Sequence, residues 1–290
     1  MAAQRIVTLL PSATEIVCGL GLRSRLVGVT HECDFPSSVN ELPRVTRSNI
    51  GADLSSAEID AQVKESLLEQ RALYSLDEPL MRELAPDLII TQALCEVCAV
   101  AANEVEALAA SLSPPPPILN LEPMSLSEVF ETIGRVAEAT GAVGAGEDYL
   151  QQLTNRVETI RKKVKIAPQP RPRVAVLEWL DPIFNAGHWT PELVELAGGE
   201  DCLGIKHQAS FEIPFRKLEE ADPDIIIISL CGFDEARARE DLPLLAAHQG
   251  YDALRAVQQK RVHFIDGNAY LSRSGPRLVD SLELLYELFQ

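Results

Sequence analysis

Short apolar runs alternate with amphipathic stretches along most of this chain. Arg5 to Leu10 is a β-branched and leucine run, which Pro11 and Ser12 turn into an amphipathic helical segment from about Thr14 to Leu20. Leu26 to Thr30 (LVGVT) predicts a second strand, and the loop HECDFP follows because Pro36 disfavours regular structure around Phe35. Helical spacing returns at about Ser56 to Gln70 and at Pro79 to Leu84, leading into PDLIIT, a buried-strand pattern that ends at Thr91. The Ala-rich segment 99–112 places Val100, Val105 and Leu108 at helical spacing, and the prolines at 114–117 stop it before a strand at Ile118 to Asn120.

From Ser125 to about Lys165 the pattern is helical throughout, with Gly141, Gly144 and Gly146 breaking it in two. The second part reads as one long polar helix, with Leu150, Leu153, Val157 and Ile160 on a single face and charged residues on the others. PQPRPR then ends it, since proline fixes φ and removes amide donors. The predicted division is an N-terminal α/β lobe at 1–143, a connecting helix at 144–167 and a C-terminal α/β lobe at 168–290.

The second half repeats the first in outline. RVAVLEW at Arg173 to Trp179 matches the opening RIVTLLPS, and APDLIITQALC at 85–95 is echoed by DPDIIIISLCG at 222–232. Alternating β and α units imply parallel sheets with helices on both faces, and ligands in such folds lie beyond the carboxyl ends of the strands. Two such lobes would face each other across a cleft.

Bulk properties narrow the possibilities. At 290 residues and 46% hydrophobic content, the chain can fill more than one core. Its longest apolar runs are of strand length, far short of the ~20 residues a membrane-spanning helix requires, and MAAQRIVTLLPSATE holds no apolar stretch long enough for a secretion signal. The expectation is a cytoplasmic protein without membrane insertion. A formal charge of −17 and a pI near 4.7 make nucleic acid and anionic membranes poor partners.

Six cysteines in a reducing compartment point to metal or redox chemistry rather than a disulfide framework. Cys33, Cys95, Cys98 and Cys231 all follow predicted strand ends, so four thiols would converge on the cleft. The Cys95–Cys98 spacing lets both sulfurs reach one ion, and a four-thiolate site would suit zinc or an iron–sulfur cluster. His31, Glu32, Asp34 and Glu96 would assist as ligands. The other reading treats these thiols as small buried hydrophobes, which is the role expected for Cys18 and Cys202.

Ser12 and Glu15 fit a capping box that starts the first helix, whose end would point into the cleft and take an anionic group. Thr190 and Pro191 open a helix that leaves His188 and Trp189 exposed at its mouth, for ligand contact or lid packing. Arg273 and Arg277 precede the last helix, where they neutralise an acidic ligand or pair with Asp280. His207 and His248 read as surface residues and His263 as structural. No glycine-rich phosphate loop, nucleophile elbow or HExxH helix occurs, so binding is expected rather than catalysis.

The pieces LLPSATEIVCGLGL, LVGVTHECDFP, PDLIIT, the long mid-chain helix, ELAGGEDCLG and PDIIIIS together resemble the helix-linked (class III) periplasmic substrate-binding proteins of cobalamin and siderophore ABC transporters, across nearly the whole chain. The resemblance implies two doubly wound parallel-sheet lobes joined by one long α-helix, with the ligand between them. It implies a cobalamin (corrinoid), haem or iron-siderophore ligand gripped by aromatic side chains. Trp179, Phe184, Trp189, Phe211 and Tyr270 supply these on the second lobe, with Ser12, Glu15, His31, His188 and Arg273 as further ligand contacts. Where cobalamin binders carry tryptophan after PDLIIT, this chain has QALCEVC. Family members also present an acidic residue on each lobe to the transporter. Glu78 stands near the first position, but Arg216 and Lys217 occupy the second, which argues against transporter docking. The expected function is a cytosolic member that binds a corrinoid or other metal-containing small molecule with help from its cysteines. The alternative is a metal or iron–sulfur protein, a redox enzyme among its forms, ligated by Cys33, Cys95, Cys98 and Cys231.

Overall fold

A computed structural model describes residues 2–51, 54–69, 71–92, 100–166 and 170–290. The chain divides into two compact units, Met1–Pro123 with Glu128–Gln152, and Met124–Ser127 with Leu153–Gln290.

In the first unit the elements run β1 (Ile6–Thr8), α1 (Pro11–Gly19), β2 (Leu26–Val29), β3 (Thr46–Ser48), α2 (Ser56–Leu68), β4 (Tyr74–Leu76), α3 (Glu78–Leu84), β5 (Leu88–Thr91), α4 (Ala102–Ser111), β6 (Ile118–Asn120) and α5 (Leu126–Thr140). Strands β2-β1-β5-β6 form a fully parallel sheet, and β3 pairs antiparallel with β4 as a separate ribbon. Every side chain of β1 and β5 is buried, as expected for strands covered on both faces. Val7, Leu9, Val45, Met81, Ile89, Val105 and Leu108 fill one side of the sheet.

Helix α6 (Val143–Lys165) contributes to both units, since the division falls between Gln152 and Leu153. Leu153, Val157 and Ile160 are buried along its predicted stripe. The break before it lies at Gly141, whose φ of +66° glycine adopts without strain. Gly144 and Gly146 sit inside α6 rather than breaking it, and a side chain at 146 would strike Ala137 Cβ at 2.6 Å.

The second unit continues with β7 (Arg173–Leu180), β8 (Ile183–Asn185), α7 (Thr190–Leu196), β9 (Glu200–Asp201), α8 (Phe215–Ala221), β10 (Ile225–Ile228), α9 (Glu235–Glu240), α10 (Leu242–Ala246), α11 (Arg255–Gln258), β11 (Val262–Phe264) and α12 (Leu278–Leu288). Its sheet runs β11-β10-β7-β8, with β9 also on β7; only the β7–β8 pair is antiparallel.

The internal repeat seen in the sequence is also present in the backbone. Ala85 and Asp222 close α3 and α8 in the same left-handed conformation (φ 40° and 38°), and each is followed by Pro-Asp and a parallel strand. Among the described residues no helix is long and apolar enough to cross a membrane.

Two expectations about helix starts are corrected. Helix α1 begins at Pro11 with Leu10 as N-cap and no side-chain cap, so Ser12 and Glu15 are not a capping box but buried residues within the helix. Proline at the first position supplies the pre-set φ that starts the helix. The reciprocal box forms at α2, where the Ser55 side chain accepts the Glu58 amide and the Glu58 side chain accepts the Ser55 amide.

Candidate functional site

In the first unit, polar chemistry gathers at the carboxyl ends of β1 and β2. Thr30 and His31 directly follow β2, and the Thr30 amide donates to the Thr8 carbonyl at the end of β1 (3.0 Å). Thr46, on the separate ribbon, reaches this point because the Val45 amide bonds the Val29 carbonyl at 2.9 Å. The Thr46 hydroxyl then has three neighbours: the His31 amide at 3.0 Å, His31 Nδ1 at 2.7 Å and Thr30 Oγ1 at 2.8 Å. On the other strand of the ribbon, where Leu76 pairs with Thr46 and Tyr74 with Ser48, the Tyr74 ring comes to a centroid distance of 5.5 Å from the imidazole. These groups line a small pocket with Leu9, Glu32 and Val100.

Burial, and then the Arg44 charge, hold the His31 pKa below its usual value, so the imidazole is neutral at pH 7. Its Nε2 lies 4.0 Å from Glu32 Oε1. A larger but shallow depression lies against α2, where Glu58 caps its own helix and Glu65 pairs with Arg71 at 3.3 Å. Its lining of Leu54, Glu58, Ala61, Gln62 and Glu65 comes from α2 and the residues just before it.

Beside the pocket, Thr8, Thr14 and Cys33 form a buried chain, with Thr8 Oγ1 to Thr14 Oγ1 at 2.6 Å and Thr14 Oγ1 to Cys33 Sγ at 2.9 Å. Cys33 is 2% exposed, which makes its thiol part of the packed interior rather than a solvent-facing ligand. Cys231 is exposed in the second unit and receives the Ser272 hydroxyl at 3.6 Å. Cys95, Glu96 and Cys98 lie outside the described residues. Among the described residues no group of three or more His, Cys, Asp or Glu side chains is placed to hold a metal ion, so the zinc and iron–sulfur expectations gain no support. Cys18 and Cys202 fit the packing role, since burial pushes their thiols up to about 11 and about 12.

In the second unit, the residues around the end of β7 and the 203–211 segment carry a second polar cluster. Glu178 receives the Gly187 amide at 3.3 Å and the Ser210 side chain. The residue is half-buried, and desolvation of the carboxyl pushes its pKa up to about 7, with Asp201 adding to the rise. Asp201 is itself raised by burial, although Leu203 and Gly204 donate to its Oδ1 at 2.9 and 2.6 Å. Fully buried Asn185 ties the segment down. Its Nδ2 donates to the Leu203 carbonyl (2.9 Å) and its Oδ1 accepts the Phe211 amide (2.8 Å). His188 donates its amide to the Gln208 carbonyl at 2.6 Å.

Trp179, Phe233 and Arg237 stack in sequence, with ring centroids 5.2 Å apart and the guanidinium 4.4 Å from the phenyl centroid. Of the other expected contacts, Phe211 is 41% exposed, while Tyr270 and His188 are half-buried. The expected exposure of the His188–Trp189 pair is corrected. Trp189 is buried and its indole donates to the Leu271 carbonyl at 2.8 Å, so it packs the unit. The ion pair expected at Asp280 is also corrected: its partner is Arg156 of α6, which also holds Glu283, while buried Arg273 donates to Asn268 Oδ1 at 2.8 Å. His207 and His248 are both exposed as expected, and the His248 ring stacks on Phe215 at 4.5 Å. Thr46, Tyr74, Glu178, Asp201 and Asn185 were not singled out from the sequence.

Two α/β units, each with parallel strands entered through the same Pro-Asp repeat, are the fold the sequence resemblance implied. The family model for periplasmic binding proteins matches residues 6–269. The chain belongs to that family. Its relatives include the uncharacterized ABC transporter substrate-binding lipoprotein YvrC of Bacillus subtilis (strain 168), 23% identical over 98% of this chain and 79% of the relative. A vitamin B12-binding protein of Vibrio cholerae is 22% identical over 97% of this chain and 87% of its own length. Among solved structures, the periplasmic heme-binding protein RhuT from Roseiflexus sp. RS-1 has the same fold, with a TM-score of 0.73, 23% identity and coverage of 99% and 98% of the two chains. In this family member, the candidate docking positions make local ion pairs. Glu78 lies 3.5 Å from Arg82, and Arg216 and Lys217 both pair with Glu220.

Proposed function

We propose that this chain is a substrate-binding protein for a metal-containing small molecule of the corrinoid or haem class. The observation that carries this reading is the pocket at the carboxyl ends of β1 and β2, where a neutral imidazole, an aromatic ring and two aliphatic side chains converge. That is the place where open parallel sheets take their ligands, and with about 10 Å³ of accessible space the pocket would contact one edge of such a ligand rather than enclose it. The family and the named ligands of two relatives, vitamin B12 and heme, support the class. Phe211 and the Trp179–Phe233 stack in the second unit are the further aromatic surfaces we assign to ligand contact. The test is equilibrium dialysis of the purified protein against aquocobalamin, ferric haem and a ferric hydroxamate. Saturable one-to-one uptake of a tetrapyrrole supports the reading, preference for the hydroxamate shifts it to siderophores, and uptake of none of the three rejects it.

A cytosolic location is part of the proposal. Cell fractionation decides this, and recovery of the native protein outside the cytosol would overturn it.

A further inference from the structure

We infer that Glu178 is a positioning residue for the 203–211 segment: its protonated carboxyl, set against Asp201, fastens the segment to the turn after β8, and its ionisation releases it. The inference stands on the second unit alone. Only its consequence for binding, a pH-dependent placement of Phe211, rests on the role proposed above.

The way the segment is held gives the first argument. Asn185 binds the Leu203 carbonyl and the Phe211 amide, while Asp201 Oδ1 takes the Leu203 and Gly204 amides. Between these ends residues 205–209 are all exposed, Ile205 at 44%. Polar contacts rather than apolar burial therefore hold the segment, the condition in which local opening costs least. Two of those contacts involve residues in the left-handed region, which side chains other than glycine disfavour. The His188 amide donates to the Gln208 carbonyl and the His207 amide to the His188 carbonyl, with φ of +53° at His188 and +60° at His207.

The position of Glu178 gives the second. Its side chain takes the Gly187 amide from the turn at 3.3 Å and the Ser210 hydroxyl from the segment, so one carboxyl spans the closure. Gly187 itself lies so close to the segment that an added Cβ would collide with the Ser210 amide.

The surrounding charges give the third. Asp201 Oδ2 is buried without a hydrogen-bond partner among the described residues, and its charge opposes a second one on Glu178. The segment's own cations are committed to α7, Lys206 to Glu195 and His207 to Glu192 at 3.8 Å. In the turn, burial holds the His188 ring toward its neutral form, and beyond β10 the Cys231 amide bonds the Glu178 carbonyl at 3.1 Å. Burial first, with Asp201 adding to it, raises the Glu178 pKa from 4.5 to about 7, and the Ser210 and Gly187 donors offset this only in part. Opening the segment to water restores the lower value and releases the proton. Closure is therefore favoured fully below about pH 4.5, and the advantage is lost as pH rises to about 7.

Amide hydrogen exchange on the ligand-free protein tests this in wild type, Glu178→Gln and Asp201→Asn between about pH 5 and about pH 8. The His207 and Phe211 amides report the segment, and Ile226 and Ile227 of β10 report unfolding of the whole unit. In wild type the segment amides should be less protected than those of β10 at every pH. Their protection factors should fall at least about tenfold across the range, mostly below pH 7. Glu178→Gln should abolish the fall and leave the segment at least about tenfold better protected than wild type at about pH 8. Because the His207–Glu192 pair also needs a proton, this variant separates the two groups. Asp201→Asn should move the fall to lower pH. Segment amides as protected as β10, protection independent of pH in wild type, or a fall retained in Glu178→Gln would each overturn the inference. Should Glu178→Gln not fold, Asp201→Asn decides, since an unmoved fall there overturns it as well. No ligand enters the measurement, so failure here leaves the binding role untouched.

Discussion

Asp224 accepts the Arg173 amide through Oδ2 at 2.8 Å and returns its own amide to the Arg173 carbonyl, also at 2.8 Å. The same exchange links Asp87 and Arg5 in the first unit, at 2.8 and 2.9 Å. In both, the Pro-Asp turn is a clamp that sets the register of two parallel strands at their amino ends.

Burial opposes ionisation of Asp224, but the Arg173 amide and the Arg255 guanidinium outweigh it and hold its pKa below the usual carboxylate value. A depressed carboxylate stabilises the fold above its unfolded pKa, and the benefit is lost as pH falls through the folded one. Asp224→Asn should therefore cost about 2 kcal/mol near neutrality, with the difference from wild type vanishing in acid. Both tryptophans lie in the second unit, so urea unfolding followed by indole fluorescence reads this directly.

Glu178 behaves in the opposite sense. Its folded pKa, about 7, stands above the 4.5 of the free side chain, so the folded form retains a proton that the unfolded chain releases. Stability of the second unit should fall as pH rises from about 4.5 to 7 and level off beyond, by no more than on the order of 3 kcal/mol. Glu178→Gln should flatten that slope and be the more stable protein at pH 8. An unchanged slope in the variant would assign the effect elsewhere.

Trp189 fills the second unit and donates to Leu271. Trp189→Phe should cost about 1–3 kcal/mol, because the Leu271 carbonyl loses its donor. The remaining Trp179 reports the transition.

Gly187 lies against the 203–211 segment. An added Cβ would collide with the Ser210 amide and come within 2.6 Å of the Gln208 carbonyl, both backbone groups. Gly187→Ala should detach this segment, seen as faster amide exchange at Gln208 and Phe211 and as a loss of about 1–3 kcal/mol. Normal exchange rates would show that the backbone accommodates the methyl group.

Strands β5 and β10 were legible because LIIT and IIII are apolar enough to be buried on both faces, whatever surrounds them. The ribbon of β3 and β4 was not, since TRS holds no apolar residue, YSL only two, and the strands pair with each other across the whole of α2. That ribbon delivers Thr46 and Tyr74 to His31, so the imidazole was visible as a candidate while its partners were not. Trp189 was misjudged for the same reason: its burial depends on Leu271, far along the chain.

Taken alone, the sequence determined the alternation of strand and helix, the internal repeat, the long helix and the family, because these depend on local periodicity and on residues close together. Tertiary structure decided which side chains meet: Thr46 on His31, Thr14 on Cys33, Glu178 beside Asp201, Arg156 on Asp280. Such pairings depend on where separate elements dock, and the charge of a carboxyl follows from that docking rather than from residue type.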